Sequence, residues 1–158
     1  LVTAAAHTLP AGTDLVTLSL LQAAFSHNGL SGGFGEDHKE NGFFRALVDE
    51  KRISGPIIIT HTKNDKAVGI AYPLASRIAG QNASALGDQD DPYGGMGRNG
   101  AQNTKEADNR FTLGLPGTSY LFEKGKIHNI SSDLIQDHSD VRRIEVAFAI
   151  LTVAGSIP

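Results

Sequence analysis

The chain has 158 residues, 40 % of them apolar, and a formal net charge of −3 from 14 Lys+Arg and 17 Asp+Glu. That length and apolar share describe one globular domain with a genuine core. The near-balanced charge, with basic residues only paired at Lys51-Arg52 and Arg142-Arg143, lacks a nucleic-acid footprint. Cysteine is absent, which excludes disulfides, thiolate metal sites and cysteine nucleophiles. It leaves the compartment open, with the cytoplasm as the default. No apolar run approaches the roughly 20 residues of a membrane span.

In chain order, Leu1 to Thr8 reads as the end of a helix stopped by Pro10 and Gly12. With no initiator Met and no signal-peptide pattern ahead of it, this opening predicts a fragment or a processed product. Leu15 to Phe25, LVTLSLLQAAF, is dense in Val, Leu and Thr and predicts a buried strand. Ser26 to Lys39, with glycines at 29, 32, 33 and 35, predicts a flexible loop. Glu40 to Glu50 places Phe43, Phe44, Leu47 and Val48 on one helical stripe and predicts a short amphipathic helix. Ile53 to Thr62 is the second strand.

Ala67 to Ala79 reads as a helix with a kink or late start at Pro73. Gln81 to Gly117 is rich in Gly, Asn, Asp and Gln and nearly free of aliphatic residues, which predicts a long surface excursion. Thr118 to Ile130 predicts a hairpin through Lys124-Gly125-Lys126, or a strand with a tight bend. Val141 to Val153 is a terminal amphipathic helix. The alternation of strands and helices predicts an α/β fold with a largely parallel sheet. Its first two strands read as continuous apolar runs, as parallel strands buried on both faces do.

Chemistry gathers where strands end. In open α/β sheets functional groups stand just past the carboxyl ends of the strands. Asp65 holds that place after GPIIIT, inside the polar cluster THTKND. His138 follows the strand ending near Ile130 and precedes the last helix. A carboxylate there can orient an imidazole and stabilise its protonated form, leaving the outer ring nitrogen as a base. Asp65 also suits a helix N-cap, and the two roles are compatible. Asp140 is expected to cap the last helix, and His61 to be structural.

GPIIITHTKNDKAVGIAYPLASRIA, followed by IHNISSDLIQDHSDVRRIEVAFAIL, resembles the C-terminal half of an α/β-hydrolase-fold protein. In that family the triad acid lies on the turn after the penultimate strand, matched here by Asp65. The histidine lies before the last helix, matched by His138 in Asp137-His138-Ser139-Asp140. LVTLSLLQAAFSH resembles the strand between the nucleophile elbow and the acid strand. The resemblance covers most of the chain except Gln81–Gly117.

It implies a serine-hydrolase-like enzyme acting on a small-molecule ester, amide or similar acyl substrate, with no cofactor and no metal. It further implies that the nucleophile lies upstream of Leu1. The isolated chain is then expected to be inactive until joined to that half, and to associate through its exposed sheet edge, with homo-oligomers among the outcomes. The acid-before-histidine order agrees with the family.

A literal G-x-S-x-G occurs at Gly29-Leu30-Ser31-Gly32-Gly33, but it lacks the strand before it and the helix after it that an elbow needs. A metal set from His61, Asp65, His138 and Asp140 lacks ligand spacing. Asp88 to Asp91 lacks the closing glutamate of a calcium loop. No phosphate-cradle motif occurs. Sequons stand at Asn82 and Asn129. The alternative of another class is a non-catalytic α/β binding or interaction module, because fold does not fix function.

Overall fold

A computed structural model describes residues 2–8, 16–71 and 89–156. Four strands form one parallel sheet: β1 (Leu18–Leu21), β4 (Ile57–His61), β5 (Ala107–Thr112) and β6 (Ile127–Ser131), in the order β1-β4-β6-β5. A small antiparallel pair, β2 (Gly32–Phe34) and β3 (Glu40–Asn41), stands apart. The helices are α1 (Val2–Thr8), α2 (Ala46–Asp49), α3 (Met96–Asn99) and α4 (Ile144–Gly155), with a π-helical turn at Ala67–Ala71. The α/β class with a parallel sheet and flanking helices is therefore what the chain adopts. Among the described residues no helix is long and apolar enough to cross a membrane.

The period-2 alternation of strands divides the core in two. Ile57 and Ile59 point to one face with Leu18, Leu20, Leu47, Met96 and Ile127. Ile58 points to the other with Ile130, Ile135, Val146, Ala149 and Val153. β4 lies between β1 and β6 and is buried from Ile57 to Thr60, which explains its uninterrupted apolar run. Arg45 is buried at the head of α2. It holds Glu106 bidentately at 2.9 Å per arm and also reaches the Leu30 carbonyl, tying the helix to the start of β5.

Several expectations change. Glu40–Glu50 is not one helix: it begins as β3, turns at Phe43, and only Ala46–Asp49 is helical, leaving Phe43 81 % exposed. Gly42 explains the break, since a Cβ there would lie 2.1 Å from the Asn28 carbonyl oxygen and the chain must pass close. Of Gln81–Gly117, the described residues from 89 onward are no surface excursion. Met96 is fully buried in α3, and β5 is an edge strand of the sheet. Glycines at 94, 95 and 97 bring this segment against His27, Val68 and Gln22, so it is held by backbone approach more than by aliphatic side chains.

Residues Gln81–Asp88, including the Asn82 sequon, lie outside the described residues, as does the Pro73 kink. Thr118–Ile130 forms no hairpin. β6 runs parallel to β5, reached by the connection 113–126 with a bend at Lys124-Gly125, where Gly125 has φ 71°. Asn129 sits in the middle of β6, fully buried and bonded to the Ala101 backbone, so its sequon is closed to modification in the fold.

Candidate active site

β4 and β6 are neighbours, so the turns leaving their carboxyl ends meet. The THTKND turn is built to receive the second of them. Thr62 Oγ1 and Asn64 Nδ2 both donate to the Ile135 carbonyl, at 3.3 and 3.0 Å. The Ser132 N–H donates to His61 O at 3.0 Å, and Ser132 Oγ accepts from the N–H groups of Leu134 and Ile135. The loop carrying His138 is thus fixed to the turn carrying Asp65 at several points. Beyond it, Asp137 accepts from both the N–H and the hydroxyl of Ser139, which lowers the Asp137 pKa and bends the chain around His138.

Asp65 is fully buried, and its two oxygens are divided between tasks. Oδ1 accepts the Val68 N–H at 2.9 Å, an N-cap for the π-helical turn. Oδ2 lies 2.9 Å from His138 Nδ1 and also accepts from Gln22 Nε2 at 3.3 Å. A carboxylate only accepts, so this bond requires the hydrogen on Nδ1, which in the neutral ring leaves the lone pair on Nε2. The His138 side chain is 42 % exposed, in contrast with its partner. Among the described residues no hydroxyl is bonded to Nε2. A ring held this way at one nitrogen and open at the other accepts a proton from a hydroxyl or a water and is stabilised by the carboxylate once charged.

The remaining candidates separate from this pair. His61 stands at the same strand end, where burial lowers its pKa, but its ring bonds neither Asp65 nor His138. Asp140 does not cap α4: it accepts from the Gln136 N–H and from Arg143 Nη1, both at 3.1 Å, and the helix starts four residues later with no side-chain cap. Among the described residues no group of three or more His, Asp or Glu is arranged to hold a metal.

Asp91 is buried and accepts the Tyr93 N–H at 3.0 Å, so its carboxylate serves a turn. Ser31 is also fully buried; its hydroxyl donates to the Asn103 carbonyl at 2.7 Å, and it precedes a strand rather than a helix. The segment Asn28–Ser31 is accordingly a packed turn instead of the flexible loop its glycines suggested.

Gln22 on Asp65 was not anticipated. The signal was there: LVTLSLLQAAF, like GPIIITHTKND, is an apolar strand closed abruptly by a polar side chain. No family model, no curated protein and no solved structure matches the chain.

Proposed function

We infer that Asp65 and His138 are the acid and the base of a serine-hydrolase-like triad, within an α/β-hydrolase fold of which residues 1–158 form the C-terminal portion. One observation carries this reading: a fully buried carboxylate bonded at 2.9 Å to Nδ1 of a half-exposed imidazole, on adjacent strand ends of a parallel sheet. The strand order supports it, because β1, β4 and β6 lie side by side in chain order, as the resemblance implies for the strands around the acid and the histidine. The nucleophile is then a serine supplied from outside these residues, since Ser31 is spent on Asn103. Among the described residues the outer edge of β1 carries no strand, and that edge is where the remainder of the sheet would add.

In the reaction, the serine hydroxyl gives its proton to His138 Nε2 as its oxygen attacks the acyl carbon. Asp65 stabilises the imidazolium, which then protonates the leaving group. The substrate is a small ester, amide or related acyl compound. The test is labelling of a longer polypeptide that includes the preceding segment with a serine-directed fluorophosphonate. Labelling that disappears in His138→Ala supports the triad. Labelling no higher than that of His138→Ala favours a non-catalytic module on the same fold.

A further inference from the structure

Gln22 ends β1 in a way that packing does not explain. Its φ is 44°, in the left-handed region that residues with a Cβ avoid. Its side chain is 1 % exposed, yet Oε1 is buried without a hydrogen-bond partner. The amide orientation is set by its neighbours: Nε2 faces two acceptors, Asp65 Oδ2 at 3.3 Å and Gly97 O at 3.1 Å. Turning the amide over would set oxygen against oxygen at both. A methionine would fill the same space and leave no carbonyl bare.

The surroundings hold Gln22 in this strained state. Its own N–H donates to Thr60 Oγ1 at 3.3 Å. Gly97 in α3 lies so close that a Cβ there would be 2.6 Å from the Gln22 carbonyl carbon, and the Gly97 N–H is bonded to Ala23 O at 2.9 Å. Strain that neighbours over-determine is a mark of functional sites. What the amide supplies, and an apolar side chain does not, is an N–H on Oδ2, the oxygen that also receives His138 Nδ1. The other oxygen is already fixed by Val68.

We propose that Gln22 is a positioning residue of the acid–base pair: with the Val68 N–H, it locks the plane of the Asp65 carboxylate so that Oδ2 holds His138 in its Nδ1–H tautomer. The proposal rests on the reading of Asp65 and His138 as acid and base. Its test does not need turnover. Imidazole nitrogens of the ¹⁵N-labelled protein are observed by long-range ¹H–¹⁵N correlation at neutral pH, with His138 assigned through His138→Ala.

The wild-type ring is expected as the Nδ1–H tautomer. Gln22→Met keeps the side chain's length and removes the donor; the His138 signal is expected to move toward the Nε2–H tautomer. Gln22→Glu replaces the donor with a second carboxylate, and both ring nitrogens are expected to be protonated at the same pH. An unchanged His138 signature in whichever variant folds overturns the proposal. So does unfolding of both, which would assign Gln22 to stability. A changed signature without fluorophosphonate labelling of the longer polypeptide removes the hydrolase reading and keeps Gln22's hold on the pair. Labelling with an unchanged signature removes only Gln22's role.

Discussion

His128 and His138 each face an aspartate, and only His138 leaves its ring open to solvent. His128 is fully buried in the middle of β6, 4.0 Å from Asp108. Its Nε2 accepts the Glu123 N–H at 2.9 Å, and its ring packs edge-on to Phe111 and against Phe122. Asp108 is engaged by the Arg110 guanidinium, which holds its carboxyl down to about 2. His138 has the reverse environment: the carboxylate is buried, no lysine or arginine among the described residues is paired with it, and the ring is partly exposed. A reactive pair needs the acid enclosed and the base open. A His–Asp approach inside a sheet is a packing feature.

The largest expected effect falls on the first pair. Asp65→Asn keeps the shape of the site but removes the charge that orients and stabilises the ring. Fluorophosphonate labelling of the longer polypeptide should slow by about 10⁴-fold, a loss of the size seen when triad acids are neutralised. Comparable labelling rates would place Asp65 among the capping residues alone.

Stability should separate the histidines the other way. His128→Ala empties a fully buried site among Ile58, Phe111 and Phe122 and strands the Glu123 N–H, so urea denaturation should show a loss of about 2–4 kcal/mol. His138→Ala takes one donor from the buried Asp65, which water can replace through the half-open site, and should cost the smaller amount, about 1–2 kcal/mol. Equal losses would break the contrast.

pH gives a third measure. His27 is buried against Asn99, and desolvation lowers its pKa from 6.5 to about 4 against the pull of Asp91. Burial lowers that of His128 as well. In each case the unfolded chain binds a proton that the folded one refuses. Stability is therefore complete above the unfolded value and is lost as pH falls from 6.5 toward 4. For His27 the loss is on the order of 3 kcal/mol. Denaturation midpoints at neutral and mildly acid pH should show it, and His27→Gln should flatten the slope.

The smallest effect belongs to Asp140. Its pairing with Arg143 is part-exposed, so Asp140→Ala should change stability by no more than ~1 kcal/mol and leave labelling intact. A marked loss of labelling would draw Asp140 into the site.

Pattern alone determined the class of fold and the two side chains worth watching. The apolar runs around Leu18 and Ile57 have the composition of strands covered on both faces, and a polar cluster closing such a run is conspicuous wherever it occurs. Asp65 was legible as a candidate for that reason, and His138 from its place between a strand end and the last helix, whose start was legible to within three residues. The tertiary structure decided the rest, because it turns on close backbone approach and on partners distant in sequence.

Nothing local in GGMGRN announces that glycines 94, 95 and 97 let a short helix lie against Gln22 and Val68. Nothing local in ADNRFT marks an edge strand, since one side of such a strand meets solvent and its residues stay polar. The meeting of Asp65 with His138 depends on β4 and β6 being neighbours, and Gln22 reaches them only because β1 lies on the other side of β4. Residue types name candidates for chemistry. Strand order and the loops it brings together decide which of them touch.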